Sequence, residues 1–295
     1  MRLVTRADLD GLTSAILLQE VVELEAVDFA HPKDVQDGKV EIGKDDILAN
    51  LPYDSRAGMW FDHHLSQVDQ GTRGGINGRF ALAPSAARVI SDHYKSPHFD
   101  RFAELLDATD KLDSAQLSRD DIVDPQGWVL LGYTLDPRSG LGAFKDYFRH
   151  IMELARSKTV NEILQDPTVK GHVDRLRRET EDFKKSLRET STIEGNVVVT
   201  DVRGLKNLPS GNRFLIYDLF PQANVSVRVA DGHDGSYVSI QVGRSILDRS
   251  CRTNVGALMA QYGGGGHEGA GTCQPRKAES ETVLREIVDT LKRNG

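Results

Sequence analysis

The sequence predicts an α/β protein of two domains, and three observations carry that expectation. The chain has 295 residues, enough for two domains of ordinary size. In its first part, short apolar runs alternate with segments of helical spacing, the pattern of a parallel sheet covered on both faces. After Glu194-Gly195 the spacing changes to several runs of period two, and a last amphipathic segment follows.

The elements follow in order. "MRLVTR" is a short apolar run ending in a turn and predicts the first strand. "LTSAILLQEVVEL" has helical spacing and comes directly after Asp10-Gly11, which makes a strand–loop–helix unit. "EAVDFA" predicts strand two, and "DDILANLPY" predicts strand three, stopped by Pro52. "AGMWFDHH" predicts strand four, ending at the histidines. Helices are expected at about Pro84–Tyr94 and Phe99–Ala108, with "LLDATDKLDSA" supplying Asp107, Asp110 and Asp113 after the second of them. From about Phe144 to Thr190 the pattern is helical and strongly charged, as in "HVDRLRRETEDFKKSLRET", and predicts a solvated helix bridging to the second domain. There, "NVVVTDV", "FLIYDLF", "ANVSVRVA" and "YVSIQVG" predict strands. "NVGALMAQY" predicts a short helix before "GGGGHEGAGTCQ", and a last helix covers about Ala278–Arg293. The expected division is a first domain at 1–145, a helical linker at 146–192 and a smaller α/β domain at 193–295.

Composition narrows the function classes. With 39% hydrophobic and 27% charged residues the chain reads as globular and soluble. It has no apolar run of the roughly 20 residues that span a bilayer. "MRLVTRADLD" has no apolar signal region, so no signal peptide and no membrane partner are expected. Cys251 and Cys273 suit free thiols in a cytoplasm. A net charge of −7 argues against a long duplex, which needs a basic stripe. It leaves room for a small phosphorylated substrate or short oligonucleotide in a local basic pocket.

Two motifs at predicted strand ends point to a metal. In "VTRADLDG", Asp8 and Asp10 are two apart and face the same side of extended backbone, where like charges need a cation or an arginine between them. In "FDHHL", Asp62, His63 and His64 leave an apolar strand together. Carboxylate with neutral imidazole suits Mn, Fe, Co or Zn, and carboxylate with water suits Mg. In open α/β sheets the ligand crevice lies at the carboxyl ends of the strands, where Asp8, Asp10, Asn50, His63 and His64 all fall. In the second domain, the "GGGGH" run can present bare N–H groups to an anion. His267 at its end can donate to a phosphate, and Arg244 in "VGRS" can add a forked clamp.

These motifs, in this order and spacing, resemble the DHH phosphoesterase superfamily with its glycine-rich DHH-associated C-terminal domain, of nanoRNase or exopolyphosphatase-related type. The resemblance covers nearly the whole chain. It implies a metal-dependent phosphohydrolase or phosphodiesterase acting on a short oligonucleotide, dinucleotide, nucleoside bisphosphate or short polyphosphate, in a cleft between the domains. It implies Mn2+ as cofactor, with Mg2+ the alternative, and is compatible with a homodimer. Residue by residue, Asp8 would serve a first metal, while Asp10, His63 and Asp110 would serve a second. His64 would contact phosphate and Asp62 would orient His63. Arg244, Gly264, Gly265, Gly266 and His267 would hold the substrate.

Two positions depart from the family pattern, and both concern the first metal. Arg6 stands where the family has histidine, and a guanidinium has no lone pair for a metal. Asn50 stands where the family has a bridging aspartate. Asp46 lies about 13 Å back along the strand, at its wrong end. Asp54 and His31 are candidate helpers on the loops. Arg6 and Asp8 can pair, leaving a guanidinium in the region of a missing cation and able to fork onto a phosphate. The expectation is one tightly bound metal, with Asn50 as a weak ligand. The rival reading is a non-catalytic phosphate or nucleotide sensor that has lost part of the metal site.

Overall fold

The computed structural model describes all residues except Gly74, residues 136–140, Asn207, Ser210, His233, Asp234 and Gly295. The chain divides into two compact units. One comprises Met1–Leu117 and Pro125–Val173, the other Ser118–Asp124 and Asp174–Gly295.

In the first unit, β1 (Arg2–Thr5), β2 (Ala26–Phe29), β3 (Asp46–Ala49), β4 (Met59–Asp62) and β5 (Gly78–Phe80) form a sheet in the order β2-β1-β3-β4-β5. Every neighbouring pair is parallel. The central strand β3 is buried along its whole length, as expected of a parallel strand covered on both faces. The helices are α1 (Leu9–Gln19), α2 (Pro32–Gln36), α3 (Val68–Gly71), α4 (Ala86–Tyr94) and α5 (Ala103–Asp113). After α6 (Arg119–Val123), which belongs to the other unit, come α7 (Gly127–Thr134), α8 (Leu141–Ala155), α9 (Val160–Leu164) and α10 (Pro167–Thr190), along which the chain passes into the second unit. Leu12, Ala15, Ile16, Leu17 and Leu18 bury nearly all of α1, which packs on α4 and α5. The strand order reverses between β1 and β3, the switch point at whose carboxyl edge ligands of such sheets bind. At the opposite edge Asp46 is occupied by Arg2 at 2.7 Å, so it is a structural ion pair.

The second unit is built on a mixed sheet, in the order β10-β11-β9-β8-β7-β6. Its strands are β6 (Ser191–Glu194), β7 (Val197–Asp201), β8 (Val225–Asp231), β9 (Val238–Arg244), β10 (Gly265–His267) and β11 (Ala270–Cys273). Only β7 and β8 run parallel. The other helices are α11 (Leu215–Leu219), α12 (Val255–Ala260) and α13 (Ser280–Arg293). Alternation sends Val225, Val227 and Val229 of β8 and Val238, Ile240 and Val242 of β9 into a core with Leu258, Met259, Ile287 and Leu291. Cys251 and Cys273 are free buried thiols. Among the described residues, no helix is long and apolar enough to cross a membrane.

The predicted α/β class, with a parallel sheet in the first part, is borne out. Several elements differ. "FLIYDLF" is not a strand: Leu215, Ile216 and Tyr217 are buried on the short helix α11. A short apolar run does not by itself distinguish strand from helix. Asp107, Asp110 and Asp113 lie within α5 rather than after a helix, because the apolar Leu105, Leu106 and Ala108 continue the helical face to Asp113. The glycine run is no open loop; Gly265–His267 pairs with Ala270–Cys273 as a hairpin. Of its four glycines, Gly263 (φ 74°) and Gly266 (φ 153°) have positive φ. The N–H groups of Gly263 and Gly264 are bonded to Ala260 and Met259 carbonyls, so they offer no bare cradle. At Gly266 a Cβ would lie 2.2 Å from the carbonyl oxygen of Ala270, and backbone cannot move aside as a side chain does. Gly266→Ala is therefore expected to destabilise the second unit by more than about 2 kcal/mol. Urea unfolding checks it; an unchanged midpoint would show that the hairpin has room.

Candidate active site

The site is assembled by the loops that leave β1, β3 and β4. Thr5, the last residue of β1, ties that strand to β3 through a hydroxyl bond to the Ala49 carbonyl at 2.9 Å. The chain then turns sharply into α1. A Cβ at Gly11 would lie 2.0 Å from the Arg6 carbonyl oxygen, which is why this position takes glycine. Asp8 is the N-cap of α1, its Oδ1 accepting from the Gly11 N–H at 2.9 Å. The same oxygen accepts from Asn50 Nδ2 at 3.1 Å, and Arg6 Nε stands 3.3 Å from Oδ2. The sequence-predicted ion pair of Arg6 with Asp8 is thus formed. Asp8 is engaged by two hydrogen-bond donors and one ion pair. Asn50 is fully buried in left-handed backbone (φ 58°), and its Oδ1 has no hydrogen-bond partner.

Asp10, two residues further on, is buried. Both its oxygens accept backbone N–H groups at the start of α4, from Ala87 at 2.8 Å and Ala86 at 2.9 Å. The helix N-terminus thereby fixes the carboxylate's orientation. His63 faces it, with Nε2 at 3.9 Å from Asp10 Oδ2 and 3.1 Å from Asp113 Oδ2. The ligand atoms of Asp10, His63 and Asp113 lie within 4.8 Å of one another. Despite the short distance to Asp113, Nε2 makes no aligned hydrogen bond. His63 Nδ1 is 3.0 Å from the Ala83 carbonyl oxygen. A carbonyl only accepts, so Nδ1 carries the proton, and a neutral ring then turns the Nε2 lone pair toward two carboxylates.

Such an arrangement calls for a cation. In the metal-free protein a proton can take the place. Burial opposes a charged His63, but Asp113 and Asp10 outweigh it and push the pKa up to about 9. Burial, with Asp113 and Asp8 nearby, likewise raises Asp10 well above the usual carboxylate range. One imidazole and two carboxylates fit a divalent ion. Since a protonated His63 cannot ligate, Mn2+ affinity is expected to rise about tenfold per pH unit between about pH 6 and pH 8, levelling off near pH 9. Calorimetric titration at several pH values reads this; a flat profile would show that His63 is not displaced of its proton.

The neighbours divide the remaining tasks. The sequence reading has Asp62 orient His63, whereas Asp62 Oδ1 bonds His64 Nδ1 at 2.8 Å and His63 is oriented by Ala83. This pair fixes the His64 ring and leaves its Nε2 free to face a ligand. Asp62 is fully buried, its Oδ2 unpartnered, and its ligand atoms group with those of His63 and His64. Asp110 stands outside both groups. Its Oδ1 accepts from Ser85 Oγ at 2.6 Å, and its Oδ2 accepts from Arg88 Nε at 2.7 Å. Ser85 caps α4, so Asp110 secures the helix start whose amides hold Asp10. Asp107 also pairs with Arg88, at 2.9 Å. His31 caps α2 and Asp54 pairs with Arg56, so neither joins the site. The signal for Asp113 was the spacing Asp107, Asp110, Asp113, three apart on one helix face, which does not say which member faces His63. The amides of Ala86 and Ala87 and the carbonyl of Ala83 leave no side-chain signal. In the second unit, Arg244 pairs with Glu268 at 2.9 Å, and His267 is exposed on β10.

No family model matches the chain, and no curated protein does. Among solved structures, a pGpG-specific phosphodiesterase, PggH from Vibrio cholerae, superposes with a TM-score of 0.86 at 38% identity, over 100% of this chain and 99% of that one. The chain belongs to the DHH phosphoesterase family. An exopolyphosphatase-related protein from Bacteroides fragilis shares the fold at TM-score 0.53 and 11% identity, covering 99% of this chain and 92% of its own. RecJ from Thermus thermophilus, in complex with Mn2+, does so at TM-score 0.50 and 13% identity, over 99% of this chain and 52% of RecJ. This DHH phosphoesterase is accordingly a metal-dependent hydrolase of small phosphate esters, with a divalent cation as cofactor.

Proposed function

We propose that this DHH phosphoesterase cleaves a 5′-phosphorylated dinucleotide of the pGpG type into two mononucleotides, in the cytoplasm and with Mn2+. The full-length likeness at 38% identity to a pGpG-specific phosphodiesterase carries the reading, and the Asp10, His63 and Asp113 cluster supplies its chemistry. Asp10, His63 and Asp113 would hold the cation. When bound, the cation supplies Lewis acidity for a water nucleophile and neutralises phosphate oxygens. Ala83 holds His63 by Nδ1 and so aims Nε2 at the cation position, while the α4 amides keep the Asp10 carboxylate from rotating. Water adds to phosphorus, the P–O3′ bond breaks, and the leaving 3′-oxygen takes a proton. His64 Nε2, oriented through Asp62, is placed to donate that proton or to hold a phosphate oxygen. Arg6, held by Asp8, offers its remaining N–H groups to the same phosphate. In the second unit, Arg244, His267 and the exposed face of Gly264, Gly265 and Gly266 would bind phosphate.

The decisive assay compares pGpG, pApA, pNP-TMP, 3′-phosphoadenosine 5′-phosphate and polyphosphate with Mn2+ and with Mg2+. Conversion of pGpG to GMP at the highest kcat/KM is expected; a clear preference for polyphosphate would refute the reading.

The site is read as holding one cation per chain. Arg6 and Asn50 occupy two donors' worth of space around Asp8 with groups that supply no negative charge. Arg6→His combined with Asn50→Asp is expected to raise metal content from about one to about two per chain, by mass spectrometry of Mn-loaded protein. Two equivalents already present in the unmodified protein would overturn the one-cation reading.

A further inference from the structure

The second unit's sheet carries a polar strip that the chemistry above does not use. The faces of β8 and β9 opposite the core present Ser226, Arg228 and Ala230, and Ser239, Gln241 and Gly243. Strand register lines these up. Arg228 lies opposite Gln241, Gln241 opposite Thr272 of β11, and Thr272 opposite Gly265 of β10. The next row runs Ser226, Gly243, Ala270, His267. The strip therefore ends at the hairpin assigned above to phosphate. Its side chains are short except for Arg228, Gln241 and, at the hairpin end, His267, which makes a low shelf suited to a flat ligand. Tyr217 of α11 closes one end, its hydroxyl bonded to the Gly243 carbonyl at 2.6 Å and to Ser226 Oγ at 2.8 Å.

Arg228 is the distinctive member. The other arginines on strands are engaged: Arg2 with Asp46, Arg79 with the Asp92 carbonyl, and Arg244 with Glu268. Among the described residues, Arg228 has no acidic or hydrogen-bonding partner. Its guanidinium is lowered in pKa by partial burial alone, with nothing nearby to offset it. Its middle-strand position sets the stem of the side chain at the centre of the shelf. A forked donor with no acceptor, beside a carboxamide, on a flat shelf leading to a phosphate site, matches one class of group. Guanine offers two adjacent acceptors, O6 and N7, to a guanidinium. Adenine puts an N6 amino donor where O6 stands, which opposes the arginine's own N–H groups.

We propose that Arg228, with Gln241, is a specificity-determining residue that reads a guanine base of the substrate. This deepens the dinucleotide reading above and rests on it. A bidentate contact of this kind discriminates about ten- to 100-fold against the wrong base.

The test uses the intact metal-loaded protein and compares kcat/KM for pGpG with that for pApA. Arg228→Met keeps the apolar stem, and Gln241→Leu gives an independent second variant; melting temperatures confirm that each is folded. The expected result is a pGpG-to-pApA ratio that falls about ten- to 100-fold in Arg228→Met and is not restored by Arg228→Lys, which has charge but no fork. An unchanged ratio in Arg228→Met overturns the inference and leaves the dinucleotide activity standing. A wild-type protein that turns over neither dinucleotide refutes the activity instead. Equilibrium binding of 5′-GMP and 5′-AMP then decides the strip by itself: a GMP preference lost in Arg228→Met upholds it, and equal binding of the two overturns it.

Discussion

His63→Ala is expected to reduce kcat on any phosphodiester substrate by more than about 100-fold at saturating Mn2+, with the fold retained. Loss of a group that merely supports a metal ligand typically costs 10- to 100-fold, and loss of the ligand itself costs more. The geometry places His63 Nε2 between two carboxylates and aligned to neither, with its other nitrogen committed to Ala83. Removing the ring leaves Asp10 and Asp113 facing each other with only two carboxylates for the cation. Steady-state rates, metal content and circular dichroism on the same preparation form the check. Near-normal turnover with stoichiometric metal would show that the ring is packing and not a ligand.

The second large effect separates two aspartates three residues apart on α5. Asp113→Asn is expected to lower kcat more than about 100-fold with little change in melting temperature, since the lost attraction to His63 is offset by relief of the repulsion with Asp10. Asp110→Asn is expected to do the opposite. It loses the ion pair with Arg88 and weakens the bond to the Ser85 cap, a stability cost of about 1–3 kcal/mol, with a smaller loss of rate through the loosened α4 amides. Thermal unfolding and kcat, measured together on both variants, give a two-by-two outcome. If Asp110→Asn is the inactive, stable variant, the roles of the two residues are exchanged and α5 is rotated from the position described.

The placing of site residues at strand ends was legible because period and chemistry agree there. An apolar run followed at once by Asp-His-His needs few alternatives, and Asp8-Leu9-Asp10-Gly11 marks both a helix start and a chain reversal. The Arg6–Asp8 pair followed from spacing alone, since residues two apart in extended backbone share a side. The misassignments arose where local pattern is degenerate. "FLIYDLF" satisfies strand and helix templates alike, and its burial on α11 beside α6 decided between them. The glycine run offers freedom of backbone but does not say how that freedom is used; pairing of Gly265–His267 with Ala270–Cys273 spends it on a close-packed hairpin.

What the sequence by itself determined is the inventory: an α/β chain, a parallel sheet with acidic and imidazole side chains at its carboxyl edge, and a family resemblance strong enough to imply phosphoester chemistry. Those are properties of composition, period and order along the chain, which local interactions suffice to express. Tertiary structure alone decided the partnerships. It set Asp113 rather than Asp110 against His63, gave Asp62 to His64, turned the Ala83 carbonyl onto His63 and aimed two α4 amides at Asp10. Each of these depends on the rotation of a helix about its axis or on a backbone group that carries no side-chain identity. Both are fixed only when α4 and α5 pack against α1 and the sheet, tens of residues away along the chain.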